Sequence, residues 1–166
     1  MAHLNDINPH LANFYLWLRR GFCIEMPMRH SERAYYAARA RFNQLRAARQ
    51  EKTAEAATLF YYLNRTGYNG LCRFNQNGGF NVPFGEYRQI NYVRDFSAYT
   101  ELFSQWQFST FDFEKLNLTP DDFVYADPPY DVEFTQYAKG GFTWQHKTCP
   151  SPPQSAVRVA DRIPHR

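Results

Sequence analysis

Apolar positions recur along this chain at two spacings, and the changes from one to the other divide it into elements. Leu11, Phe14, Tyr15 and Leu18 stand three and four apart behind Pro9, which predicts a helix opening near that proline. Between residues 29 and 49, Tyr35, Tyr36, Phe42 and Leu45 are interleaved with Arg29, Arg33, Arg39, Arg41, Arg46 and Arg49, and Glu32 is the single acid. That segment predicts an amphipathic helix with a basic face. Ala54, Ala57, Leu59, Phe60 and Leu63 predict a second helix from about Thr53 to Asn64, a core element ending before Gly67. Asn77-Gly78-Gly79 supplies the residues that tolerate positive φ in a tight turn, so Leu71–Phe74 and Phe80–Pro83 are expected to pair as a two-stranded ribbon. Ile90–Val93 and Phe108–Phe113 have strand composition, and Phe96, Tyr99, Leu102 and Phe103 line one side of a short helix. Phe123, Val124 and Tyr125 read as a short buried strand that Pro128 and Pro129 stop at Asp127. The alternation of helices and strands gives an α/β fold class, in which ligands gather at the carboxyl ends of strands.

Composition narrows this picture only at its edges. With 166 residues, 44% hydrophobic and 18% aromatic, the chain can bury the core of about one domain, which excludes disorder throughout. A net charge of +3 and a pI near 8.8 are compatible with nucleic acid without requiring it. Cys23, Cys72 and Cys149 are odd in number and lack paired spacing, which argues against a disulfide framework or a zinc site and for a reducing cytoplasm. No metal is expected. The sequence has neither a signal peptide nor an apolar run long enough to span a bilayer. Gln145–Arg166 holds Pro150, Pro152, Pro153 and Pro164 with few large apolar residues, and is expected to be disordered.

Three stretches carry candidate chemistry. Asp127, Pro128, Pro129 and Tyr130 form a rigid corner with a carboxylate, carbonyls pointing in set directions and an aromatic face. Such a corner suits a planar group bearing –NH2: two acceptors hold its hydrogens while the ring stacks, so an amino-bearing nucleobase fits. A plain turn with the same four residues weighs about as much. On the ribbon, Arg73 could address guanine bidentately, Asn75 and Asn81 adenine edges, and Tyr68, Leu71 and Phe84 a thymine methyl or an exposed base. A structural hairpin rich in Asn and Gly would look alike. The arginine-rich helix reads equally as a solvated face or as a phosphate-contacting one. Asp6 and Asn8, just ahead of the first helix, read most simply as caps.

The motifs carry a further signal. Asp127-Pro-Pro-Tyr130 resembles the catalytic motif of amino-methylating methyltransferases that use S-adenosylmethionine, which act on adenine, on cytosine N4 or on glutamine amides. Leu4-Asn-Asp-Ile-Asn-Pro9 resembles the second motif of these enzymes, in which an acid accepts from the ribose hydroxyls of the methyl donor; the resemblance makes Asp6 that acid. Tyr35-Tyr-x-x-Arg39-x-x-Phe42-Asn43 is similar to the helix that opens the target-recognition region of Dam-type DNA adenine methyltransferases. Tyr68-Asn-Gly-Leu-Cys-Arg73 with Phe80-Asn-Val-Pro-Phe-Gly85 resembles the recognition hairpin of that family almost residue for residue. That hairpin reads GATC, and the positions matching its base-reading residues are Asn69, Leu71, Arg73 and Pro83. Glu86 stands where relatives often carry a basic residue, so a phosphate contact would be lost or moved to Arg88, beside Tyr87. Asp112-Phe113 resembles the third motif, beside the adenine of the cofactor. Val132–Trp144 resembles the loop that closes over the flipped base, with Gly140-Gly141 as hinge.

The resemblance implies a Rossmann-like catalytic sheet with an inserted helical and β-hairpin recognition region. Residues 1–27 would be part of the cofactor-binding half, 28–88 the DNA-binding region, 89–144 the catalytic part and 145–166 a divergent tail. The implied reaction is methyl transfer from S-adenosylmethionine to the adenine amino group in double-stranded DNA. Asp127 and Pro128 would hold that amino group, Pro129 would fix the corner, Tyr130 would stack on the base, and Asp127 would also face the cofactor. A monomer in the cytoplasm of a bacterium, encoded there or by a phage, is implied. The Phe-x-Gly-x-Gly turn of the family does not precede Asp6, so the chain is expected to be a truncated fragment. The alternatives are a non-catalytic DNA-binding remnant, or a methyltransferase acting on RNA or a protein amide; the hairpin favours DNA.

Overall fold

The computed structural model describes residues 2–126, so Asp127–Tyr130, the loop 132–144 and the tail 145–166 lie outside the described residues. The chain divides into two compact units, residues 1–111 and residues 112–166.

In the first unit a small parallel sheet and four helices share one core. Strand β1 (His3–Asn5) pairs with β2 (Gln107–Ser109) in the register His3 to Gln107, Leu4 to Phe108 and Asn5 to Ser109. Parallel neighbours need a crossover, and here residues 6–106 supply it. Helix α1 (Pro9–Leu18) starts where expected: Pro9 sits in the first turn, and the Asn8 carboxamide oxygen accepts from the His10 and Leu11 amides at 3.0 and 3.4 Å. Helix α2 (Glu32–Ala47) is capped by Ser31 and α3 (Ala54–Thr66) by Thr53, whose hydroxyls accept from Ala34 and Ala56. Helix α2 is shorter than the arginine-rich segment because Arg49 takes φ +57° and the Gln50 amide turns back to Leu45, which closes the last turn. Helix α4 (Ala98–Ser104) buries Phe103, and Phe96 is buried just ahead of it, whereas Tyr99 and Leu102, expected on the same face, are exposed.

Helix α3 packs against both α1 and α2. Tyr35, Phe42 and Leu45 of α2 meet Ala56, Leu59, Phe60 and Leu63 of α3 in a core that also takes Phe22, Ile24, Phe80, Val82 and Phe96. Each large apolar side chain sealed in this way contributes on the order of 1.5–3 kcal/mol. The core therefore takes in the ribbon segment, through Phe80 and Val82, together with the helices.

His10 is buried in the aromatic part of this core, its ring 5.0 Å from Phe74 and 4.9 Å from Phe42, and its Nδ1 has no hydrogen-bond partner among the described residues. Burial pushes the imidazole down from 6.5 to about 4, with Glu51 pulling the other way and Arg46 adding to the fall. The unfolded chain takes up the proton as pH drops below 6.5, and the folded chain refuses it until about 4. Stability is therefore expected to fall through that window by about 3 kcal/mol and to level off below it. Urea unfolding across the window checks this: the midpoint of the native chain should fall more steeply than that of His10→Gln.

Three strand expectations are corrected. Ile90–Val93 forms no strand, and Tyr92 and Val93 are exposed because no neighbouring strand lies beside them among the described residues. The stretch 108–113 contributes only Phe108 and Ser109 to β2, since Asn5 takes over the backbone of Phe111 and Phe113–Lys115 winds into a 3-10 turn. Phe123 and Tyr125, read as a buried strand, are 76% and 68% exposed.

Candidate functional site

Two groups of sequence-predicted residues fall in the first unit. The first lies at the carboxyl end of the β1–β2 pair, the end at which α/β sheets receive ligands. Asp6 follows β1 directly, and its amide donates to the Ser109 carbonyl at 3.3 Å, extending the ladder by one bond. Its Oδ1 accepts from the Asn8 amide at 2.7 Å, while Oδ2 has no hydrogen-bond partner among the described residues. The carboxylate thus works as a turn acceptor and keeps one oxygen for a ligand. Beside it Asn5 does something the sequence reading missed: its Nδ2 donates to the Phe111 carbonyl at 2.9 Å, and its Oδ1 accepts from the Phe111 amide at 3.3 Å and from Ser109 Oγ at 2.7 Å. One carboxamide thereby holds the chain leaving β2. In the second unit Asp112 caps the turn Phe113–Lys115, accepting from the Glu114 amide at 3.1 Å.

The second group is the segment between α3 and Arg88. Its two arms run antiparallel, but as isolated bridges, Phe74 with Phe80 and Gly67 with Phe84, and not as a continuous ribbon. The Asn75 amide donates to Gly79 and the Asn81 amide to Arg73, at 2.8 and 3.1 Å. The next inward donor along that arm would be residue 83, which is proline and has no N–H. The ladder ends there for that reason. The turn is also set earlier than Asn77-Gly78-Gly79: Gly78 donates to the Asn75 carbonyl at 2.7 Å, and of the three residues only Gly78 has positive φ, +77°.

The base of this segment is packed closely. A Cβ on Gly85 would meet Gly67 carbonyl atoms at 2.9 Å and Tyr87 at 2.6 Å. The Tyr87 hydroxyl donates to the Gly67 carbonyl at 2.8 Å, and His30, which the sequence reading passed over, contacts the Gly85 carbonyl at 2.8 Å and packs on Phe84. Above this base Tyr68–Gly70 forms a 3-10 turn in which Asn69 takes φ +51°, a conformation asparagine tolerates better than most residues. Asn64 holds the turn, donating to the Gly70 carbonyl at 2.6 Å. Tyr68 and Asn69 stand exposed over an open cleft of about 320 Å³ that Phe84, Gly85, Glu86 and Tyr87 complete.

The candidate DNA-contacting side chains are not all free. Arg73, which is exposed, donates from Nε to Asn81 Oδ1 at 3.0 Å, so it and the half-buried Asn81 act as a pair, and Asn75 Oδ1 accepts from the Gly79 amide at 2.8 Å. Leu71 is half-buried against the core, while Pro83 and Arg88 are exposed. The basic face of α2 is largely engaged within the protein. Arg39 donates to the Val82 carbonyl at 2.9 Å with its guanidinium 4.6 Å from the Tyr36 ring, and Arg41 forms a two-pronged pair with Glu55 of α3 at 2.6 and 2.9 Å. Arg46 lies under Gly78. A helix read as a uniform cationic face is in large part a clamp. Cys72 receives a hydrogen bond from Asn8 at 3.2 Å, and burial pushes its thiol up to about 11, so it behaves as a packing group.

A family model described as the D12 class N6 adenine-specific DNA methyltransferase matches residues 1–150. The chain belongs to this family. It is 35% identical over 156 residues to a DNA adenine methylase of Vibrio cholerae serotype O1, covering 84% of this chain and 54% of that protein. It is 36% identical over 150 residues to the retron Ec67 DNA adenine methylase of Escherichia coli, covering 83% and 51%. It is 30% identical over 148 residues to the type II methyltransferase M.CviBI of Paramecium bursaria Chlorella virus NC1A, covering 84% and 54%. The chain of this D12-class member thus spans about half the length of the curated relatives it matches. Among the described residues no cluster of His, Cys, Asp and Glu is placed to hold a metal, and no helix is long and apolar enough to cross a membrane.

Proposed function

We propose that this chain carries the target-recognition region and part of the catalytic domain of a site-specific DNA adenine methyltransferase that reads GATC in double-stranded DNA. The observation that carries the reading is the segment from Tyr68 to Arg88, anchored at its base by Gly67, Gly85 and Tyr87 and presenting Tyr68, Asn69 and the Arg73–Asn81 pair outward, in a chain of this family. β1 and β2 would belong to a Rossmann-like sheet, and their pairing across residues 6–106 is what an insertion at 28–88 between neighbouring strands requires. In this reading Arg73 addresses guanine, Asn75 and Asn81 address adenine edges, Asn69, Leu71 and Pro83 line the bases, and Arg39, Tyr87 and Arg88 track the backbone.

S-adenosylmethionine would supply an activated methyl group. Asp6 fits as a ribose acceptor, because one of its oxygens is held by the Asn8 amide and the other is free beside the strand end. Asp112 and Phe113 are proposed near the adenine of that cofactor. The target adenine must leave the stack before its amino group can be reached. Asp127 and the Pro128 carbonyl then hold the two amino hydrogens, so the nitrogen lone pair is aimed away from the ring, and Pro129 and Tyr130 keep the base in place.

The test is transfer of a labelled methyl group to duplexes carrying GATC or single-base variants of it. Label appearing on the adenine amino group of GATC alone supports the reading. Label on variants and GATC alike, or on RNA, defeats the proposed specificity, and no label on any duplex defeats catalysis by this chain.

A further inference from the structure

We infer that Asn43 of α2 is a specificity-positioning residue, which sets the register of the base-reading segment by serving as a substitute strand for Phe80. The inference rests on the proposed DNA reading, and its geometric half stands without it. The hydrogen bonds that flank the Phe74–Phe80 pair run through residues 73, 75, 79 and 81, so the N–H and C=O of Phe80 itself face away from the other arm. Phe80 is only 2% exposed, and two unpaired backbone groups at such a site would be costly. Asn43 satisfies both: the Phe80 amide donates to its Oδ1 at 2.8 Å, and its Nδ2 donates to the Phe80 carbonyl at 3.1 Å.

The same face of α2 continues the contact. Four and eight residues before Asn43, Arg39 and Tyr35 both donate to the Val82 carbonyl, at 2.9 and 2.8 Å. Burial pushes the Tyr35 hydroxyl up to about 12, so it remains a donor at any ordinary pH. Residues spaced by four lie on one side of a helix, and residues spaced by two lie on one edge of a strand. Three helix residues therefore cover the outward edge of residues 80–82.

This contact reaches the reading head in two steps. Phe80 precedes Asn81, and Asn81 Oδ1 accepts from Arg73 Nε at 3.0 Å. A bidentate arginine contact with a base needs its planar fork aimed within a narrow angle, so the position of residue 81 decides whether Arg73 discriminates. Asn43 touches no base in this scheme and acts through Phe80 and Asn81.

The experiment compares Asn43→Ala and Asn43→Asp with the native chain by amide hydrogen exchange at Phe80 and by binding to GATC and single-base-variant duplexes. Asn43→Ala should lose protection at Phe80 and about ten-fold of the GATC preference, with affinity for the variant duplexes unchanged. Asn43→Asp, which keeps the acceptor for the Phe80 amide, should recover part of both. A merely structural role would lower affinity for all duplexes alike and leave the preference intact, and that result overturns the inference. If the native chain shows no GATC preference, the proposed reading fails and takes the specificity role with it. Native protection at Phe80 in Asn43→Ala would overturn the geometric half as well.

Discussion

Replacing Asp127 by alanine is expected to reduce methyl transfer to a GATC duplex by about a hundred- to a thousand-fold while leaving duplex affinity essentially unchanged. The adenine amino nitrogen is a poor nucleophile because its lone pair is delocalised into the ring, and it gains positive charge as it attacks. A fixed carboxylate at one of its hydrogens opposes that charge where it develops, and removing one preorganised partner of this kind typically costs about that factor. In the proposed reading the duplex is held by the segment 68–88, so affinity gives an internal control. Single-turnover transfer of labelled methyl groups, alongside equilibrium binding, separates the two. Activity retained in Asp127→Ala would reduce Asp127-Pro-Pro-Tyr130 to a turn.

The second large effect concerns sequence reading. Arg73→Ala should relax the preference for GATC over single-base variants by about ten- to a hundred-fold, the worth of one bidentate arginine–guanine contact. Neutralising Arg88, exposed and without a hydrogen-bond partner among the described residues, should instead weaken binding to every duplex alike and reduce the salt slope by about one unit. Titrations at several salt concentrations distinguish these outcomes, and a uniform loss in Arg73→Ala would mean that the segment does not read the base. Arg41 is expected to contribute little to either, because its guanidinium is already paired with Glu55.

What could be read beforehand followed from periodicity and punctuation. Pro9 behind Asn8 opened α1, Gly67 closed α3, and both are local signals that survive any tertiary context. The ribbon was legible as a turn between two extended arms, yet its ladder was overestimated because Pro83, counted within the pairing arm, has no N–H to donate on the inward side. The polar partners were invisible. Nothing near Asn5, Asn43 or His30 in sequence reveals that Phe111, Phe80 or Gly85 will supply the backbone groups they meet, since those pairings are made by the fold and span 106, 37 and 55 positions. The arginines of α2 were misjudged on the same ground: a cation counts as free only once its neighbours across the helix interface are known. Composition alone could not separate Arg41, bound to Glu55, from Arg33, which has no side-chain partner among the described residues.

The cover that α2 lays along residues 80–82 also bears on how copies of this chain meet one another. An arm with open N–H and C=O groups is a template for a strand from another molecule, and short paired segments rich in aromatic residues are the usual starting points for aggregation. Along this arm the template is filled by side chains that another molecule cannot easily displace, because Tyr35 and Phe42 on either side of them are sealed in the core. The outward edge of residues 80–82 is therefore closed to a strand from a second copy.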